Sequence, residues 1–187
     1  MDKPSSYCEA IKMMAHDSVN RIYHDSMYGF PIEDDNELFE RLILEINQAG
    51  LSWSTILHKQ KNFKKAYHEF DIKTVASYEE LDRQRLLNDA GIIRNRLKID
   101  AAIHNAKVIL SLQNEFGSFK NWLYQHHPLP KEQWVKLFKK TFKFTGGEIV
   151  NEFLMSIGYL KGAHIESCEV GKEVLKHQPA WTATDYK

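Results

Sequence analysis

Apolar residues recur at helical spacing along most of the chain, and one stretch does so with an anomaly. In LFERLILEINQAGLSW, Leu38 to Trp53, the residues Leu38, Phe39, Leu42, Ile43 and Ile46 mark the buried stripe of a core helix. Glu37, Glu40, Arg41, Asn47 and Gln48 take the opposite side. Asp34 or Asp35 can cap the start, with Glu37 in the first turn. Glu45 falls in line with Leu38, Leu42 and Ala49, at the edge of the apolar stripe, where a carboxylate costs desolvation energy unless something compensates. The helix runs into Gly50, suited to a tight turn or a close approach, and then into Leu51 and Trp53. Two readings stand: a solvated Glu beside core Leu and Trp, or a ligand pocket built from a carboxylate, a glycine, an apolar wedge and an indole.

The same periodicity predicts helices over Glu9–Asn20, Ile56–Phe70, Tyr78–Asp89, Arg96–Leu112, Phe116–His126 and Glu148–Gly158, with a short one closing Asp71–Ala76. Lys131–Phe142 predicts a basic amphipathic helix. Gly29 and Pro31 make Tyr23–Pro31 a loop, although it carries three aromatics and a histidine. Met1–Ser6 is polar and expected to fray, and the weakly patterned segment after Cys168 is expected to be only partly ordered. With no sustained period-2 stretch and no internal repeat, the expected fold is all-α, in one domain over residues 1–187.

Composition narrows this only a little. The formal net charge is zero, which argues against a polyanion-coating protein but permits a local basic face. No apolar run is long enough to span a bilayer, and MDKPSSYCEA lacks a secretory apolar region, so a cytoplasmic protein is expected. There, the two cysteines are thiols or metal ligands rather than a disulfide.

Three constellations could carry chemistry. Leu86–Lys98, LLNDAGIIRNRLK, ends one helix at Gly91 and starts another among Arg94, Arg96 and Lys98. A helix-hairpin-helix that holds a DNA phosphate on backbone N–H groups has this layout, as has any plain αα-hairpin with a basic surface. His164 and Cys168 lie one helical turn apart, and with Cys8 and His24 could close a tetrahedral zinc site; unrelated thiols are the alternative. Tyr23, Tyr28 and Trp53 offer aromatic faces for a flat, cationic base, or ordinary core packing.

Together, Tyr23-His24-Asp25, LFERLILEINQAGLSW, Phe70-Asp71 with Val75-Ala76, the hairpin Ala90-Gly91-Ile92-Ile93-Arg94-Asn95-Arg96 with Lys98-Ile99, Phe142-Lys143-Phe144 with Gly146, and His164 with Cys168 carry a resemblance. In order and spacing the chain resembles the bacterial 3-methyladenine DNA glycosylase I family of the helix-hairpin-helix superfamily, from about Tyr23 to Cys168. The resemblance implies a monomeric base-excision repair enzyme that acts on double-stranded DNA containing alkylated purines, with no membrane partner. It implies that Glu45 is the base-recognition carboxylate, that Tyr23, Tyr28 and Trp53 enclose the flipped base, and that Leu51 with Gly50 fills the gap left in the duplex. Gly91, Arg94, Arg96 and Lys98 would contact DNA near the hairpin at 78–112. Cys8, His24, His164 and Cys168 would hold a structural zinc that clasps 8–24 to 164–168.

This chain departs from the family pattern at Met27-Tyr28, where Glu-Trp is usual, at Asn20 for a tyrosine, near Ala10 for a tryptophan, and at Gly162-Ala163 for Asn-Asp. Three of these changes touch the base pocket. The rival class is therefore a lesion-binding protein that keeps the fold and zinc but has lost or altered excision. The helix-hairpin-helix relatives often support the attacking water with an aspartate near the following helix. Asp100 lies in that zone and is given no role.

Overall fold

The helix predicted over 38–48 sits at the centre of the molecule, and every side chain from Leu38 to Asn47 is buried. In the computed structural model, which describes residues 4–183, this is α3, Asp35–Gln48. Asp34 starts it by accepting from the N–H groups of Asn36 and Glu37. The expected polar side is thus a correction. Glu40, Arg41 and Asn47 are buried because other elements cover that face. Glu40 accepts from Gln60 and pairs with Lys64. Asn47 donates back to the Ile43 carbonyl.

Before α3 come α1 (Tyr7–Lys12) and α2 (Val19–Ser26). The single helix expected over Glu9–Asn20 is two. The chain restarts at Ser18, whose hydroxyl accepts from the Arg21 N–H, and α2 runs through the segment expected to be a loop. Tyr23 and His24 are therefore helical and buried; the turn begins only at Met27.

After α3 follow α4 (Trp53–Ala66), α5 (Ile72–Ala76), α6 (Glu80–Asn88), α7 (Arg96–Phe116), α8 (Phe119–His126), α9 (Lys131–Thr141), α10 (Gly147–Ser156) and α11 (Glu169–Lys176). The helix expected to reach Phe70 stops at Ala66. His68, Glu69 and Phe70 have positive φ, a tight turn that puts Phe70 into the core beside Tyr67. Segment 169–176, expected to be weakly ordered, is α11. It packs closely because Gly171 has no side chain; a Cβ there would stand 2.8 Å from the Cβ of His164. The fraying expected for Met1–Lys3, and the end of the tail, lie outside the described residues. Among those described, no strand occurs and no helix is long and apolar enough to cross a membrane.

The main core joins α3 through Leu38, Phe39, Leu42, Ile43 and Ile46 to α7 through Ile99, Ala102, Ile103 and Ala106, and to Phe119, Trp134, Phe138 and Phe153. One carboxylate ties α3 to both α7 and α8. The Asp35 carboxylate accepts from Gln113 Nε2 at 2.7 Å and from the backbone N–H groups of Phe119 at 2.8 Å and Lys120 at 3.0 Å. These N–H groups are the orphan donors of α8's first turn, and the anion also meets the positive end of that helix. Charge-assisted bonds of this kind contribute about 1.5–3 kcal/mol. Asp35→Ala is expected to lower the melting temperature by roughly 5–10 °C for a chain of this size; a shift under about 2 °C would show that water replaces the carboxylate.

Candidate functional site

A cavity of about 400 Å³ opens where α1, α2, α3, α4 and α10 meet, lined by Tyr7, Tyr23, Tyr28, Glu45, Gln48, Trp53, Glu148 and Glu152. α3 supplies Glu45 from its last turn, at the edge of the apolar stripe. Burial pushes this carboxyl up to about 8, the nearby Arg41 guanidinium opposes the rise, and Glu152 adds to it. Arg41 is itself buried and donates to the Tyr23 hydroxyl at 3.3 Å and the Ser156 carbonyl at 3.2 Å, with its guanidinium 5.1 Å from the centre of the Tyr23 ring.

The aromatic wall is built from three elements. Tyr23 on α2 meets Trp53 at the start of α4 edge to face, with ring centres 5.0 Å apart. Tyr28 tilts against Tyr23 at 5.5 Å. Tyr7 on α1 stands edge-on to Tyr28 at 5.7 Å and donates its hydroxyl to the Asn20 carbonyl at 3.0 Å. Trp53 Nε1 is buried without a hydrogen-bond partner.

Beside this wall, Cys8, His24, His164 and Cys168 place four donor atoms within 4.8 Å of one another. Sulfur–nitrogen separations are 3.3 Å (Cys8–His24), 3.7 Å (Cys168–His24), 3.7 Å (Cys8–His164) and 3.6 Å (Cys168–His164). A tetrahedral ion bound at ~2.0–2.3 Å to each donor separates such pairs by roughly 3.5 Å. The outer ring nitrogens are also held: His24 Nδ1 lies 2.7 Å from Asp25 Oδ1 and His164 Nε2 2.7 Å from the Tyr28 carbonyl, the partners that fix a metal-binding tautomer. Both cysteines are free thiols. The donor set fits a metal, and three of the four residues come from α2 and the segment around α11.

The predicted DNA-contact residues divide. Gly50 has φ +82° with nothing within 4 Å of where a Cβ would be, and Leu51 is 39 % exposed; this tip is open to a partner. Arg94 is exposed and, among the described residues, in no ion pair. Arg96 is exposed but shared between Glu80 at 3.3 Å and Asp100 at 3.8 Å. Asp100 is also held by Arg83 at 2.8 Å.

Two of the expected contact residues are engaged within the protein. Lys98 is buried, and its ammonium donates to the carbonyls of Asn47 at 2.9 Å and Ala49 at 2.8 Å. Its charge caps the C-terminal end of α3. The Gly91 N–H donates to Asp89 Oδ1 at 2.7 Å. Gly91 contributes space instead, because a Cβ there would stand 2.9 Å from that oxygen.

Sequence reasoning missed Tyr7, Gln48, Glu148 and Glu152 in the cavity, and Lys59, whose ammonium braces the Ala90 and Gly91 carbonyls. Glu148 and Glu152, one turn apart in the otherwise apolar GEIVNEFLMS, were the visible signal. A second cavity, of about 280 Å³, lies behind His164 among Gly29, Val174, Leu175 and Trp181, and includes none of the residues around Glu45.

A family model for methyladenine glycosylases matches residues 13–136. The chain is 35% identical over 174 residues to DNA-3-methyladenine glycosylase 1 of Escherichia coli (strain K12), covering 83% of this chain and 92% of that protein. It is similar to a solved 3-methyladenine DNA glycosylase I in complex with 3-methyladenine, at 30% identity and TM-score 0.76, over 83% of this chain and 94% of the other. A second structure, described for 3-methyladenine recognition by the Staphylococcus aureus enzyme, superposes with TM-score 0.76 at 31% identity, over 83% of this chain and 93% of the other.

Proposed function

Because the chain belongs to the methyladenine glycosylase family, we propose that it hydrolyses the N-glycosidic bond of 3-methyladenine in alkylated double-stranded DNA, a base-excision repair reaction. The observation that carries this reading is a buried carboxylate, Glu45, in an aromatic cavity.

Methylation at N3 makes adenine cationic and weakens its bond to the sugar, so the leaving group needs little further activation. The enzyme must extrude the nucleotide, and a damaged base costs less to unstack. Leu51, projecting beside Gly50, fills the gap in the duplex. Glu45 accepts from the N6/N7 side of the base and offsets its charge in a poorly hydrated site, where the contact is stronger than in water. Trp53 and Tyr23 pack against the flat cation. Neutral adenine gains less from each, which is selectivity by differential binding. Water then attacks the oxocarbenium-like sugar. Among the described residues no amine lines the cavity, in keeping with a monofunctional glycosylase that leaves the strand intact.

The metal is read as zinc, held by Cys8, His24, His164 and Cys168. With four protein donors it supplies folding energy rather than an activated water. Free thiols and a zinc clasp suit the reducing cytoplasm of a bacterium.

Arg94 would be the phosphate contact at the hairpin, with Arg96 beside it at the start of α7. Arg94→Ala is expected to weaken duplex binding severalfold regardless of sequence, and to reduce the slope of log affinity against log salt by about one. Lys98→Met is expected to leave that slope unchanged and to lower the melting temperature instead. Fluorescence anisotropy over a salt series separates the two; a reduced slope for Lys98→Met would restore it as a phosphate contact.

The direct test of the reaction is release of free 3-methyladenine from methylated DNA. No release, with binding to abasic-site DNA intact, would replace excision by lesion binding.

A further inference from the structure

Glu152 has no part in the mechanism above, yet it faces the same cavity as Glu45 from a different helix. It is half-buried on α10 and is held by the Tyr28 hydroxyl, which donates to its Oε2 at 3.1 Å. Its neighbour one turn back, Glu148, is exposed and pairs with Lys131 at 3.4 Å. Among the described residues, no lysine or arginine forms an ion pair with Glu152.

We propose that Glu152, oriented by the Tyr28 hydroxyl, is a specificity residue of the base pocket: a second carboxylate that favours a cationic purine over a neutral one. The proposal rests on the glycosylase reading and deepens it.

The physical case is electrostatic. Three carboxylates and four aromatic rings wall one cavity, and of the three, Glu148 is exposed and paired with Lys131, which leaves Glu45 and Glu152 as the inward acids. A single cation placed there is attracted by both carboxylates and by the ring faces. A neutral purine of the same shape meets the same rings but draws no such attraction. Burial pushes the Glu152 carboxyl up, the Tyr28 hydroxyl holds it down and Glu148 pushes it up again, while Glu152 in turn raises Glu45. An entering cation relieves both acids at once.

Tyr28 is the position where the family pattern has tryptophan. Its hydroxyl gives the pocket something that a phenyl ring in the same place lacks, a donor that fixes the second carboxylate's direction. Tyr28 and Glu152 therefore form one unit. Glu152 acts on the choice of base at the binding step. It is not placed to move a proton or to position the water.

The test is calorimetric titration of the intact protein with 3,9-dimethyladeninium, a permanently cationic purine, and with 9-methyladenine, its neutral counterpart. Wild type is expected to prefer the cation. Glu152→Gln keeps the shape, and is expected to reduce the cation-to-neutral affinity ratio about tenfold, or about 1.4 kcal/mol. Tyr28→Phe is expected to reduce it less, and the double variant no more than Glu152→Gln alone. If Glu152→Gln fails to fold, Tyr28→Phe decides by the direction of its ratio.

An unchanged ratio in the variants, an equal loss for both ligands, or no preference in wild type would overturn the proposal. Excision of 3-methyladenine from methylated DNA by wild type is measured alongside. No excision overturns the glycosylase reading and the assignment resting on it. Excision with an unchanged ratio overturns Glu152 alone.

Discussion

Glu45→Gln is expected to release 3-methyladenine about a hundredfold more slowly than wild type, the usual scale for losing one preorganised charge contact, while melting no lower. The two halves of this result have one cause. The Glu45 carboxyl is 4 % exposed, and burial raises it from the usual 4.5 to about 8. Between those pH values the folded protein keeps a proton that the unfolded chain has lost. Its contribution is therefore full below pH 4.5 and declines as pH rises through about 8. At ~1.4 kcal/mol per unit the decline is several kcal/mol. Glutamine has no such titration, so the variant's stability falls less with pH across this window. Activity shows the opposite face of the same group. Attraction of the cationic base needs the carboxylate, and kcat/KM reports the free enzyme, so it should rise with pH through about 8 in wild type and lose that rise in the variant. Thermal melts and single-turnover release over pH 5–9 read both. Equal release by the two proteins would remove Glu45 from the base-binding role; a rise that persists in Glu45→Gln would assign the titration elsewhere.

Stripping the metal is expected to lower the melting temperature by roughly 10 °C. The clasp joins α1 and α2 to the segment around α11 across more than 140 positions of sequence. Without an ion, two buried thiols and two imidazoles face one another with little to hold them. A loss of about 3–5 kcal/mol is modest beside typical structural-zinc binding energies and corresponds to this shift for a chain of about this length. Base binding should weaken as well, because the pocket is built on the clasp. Tyr7 precedes Cys8, Tyr23 precedes His24, and the Tyr28 carbonyl lies against His164. A chelator melt with zinc added back, repeated on Cys168→Ala, checks both statements. An unchanged melt, with no metal found in the purified protein, would dispose of the clasp.

Helix α3 and the Gly50–Trp53 turn were legible because their determinants are local. A stripe at 3.6 spacing, an aspartate cap and a glycine with positive φ are properties of neighbouring residues. The all-α class followed from the same pattern repeated. α2 was hidden because Gly29 and Pro31 make all of Tyr23–Pro31 read as a loop, whereas Tyr23 and His24 are held in a helix by partners from α4 and the C-terminal segment. α11 was hidden because its packing depends on Gly171 lying against His164, a contact with no trace in periodicity.

At the site, Glu45 stood out as a charge beside an apolar stripe, and the Cys and His residues as a possible donor set. Lys98 did not declare its role. A basic residue after a hairpin reads as a phosphate contact, but the nearest acceptors turned out to be the carbonyls that end α3. A buried ammonium takes the partner that tertiary packing brings within reach.

By itself the sequence determined the all-α class, the core helix α3, the open turn at Gly50 and the chemistry available: an acid at the edge of an apolar stripe, aromatic rings, two thiols and the histidines. Only the tertiary structure decided which of these share one space. It brought Tyr7 from α1 and Glu152 from α10 to the cavity of Glu45, set Arg41 against Tyr23, and turned Lys98 inward. The reason is range. Backbone geometry fixes which side chains share a helix face over a few residues, whereas which faces meet is settled by the burial of apolar surface over the whole chain.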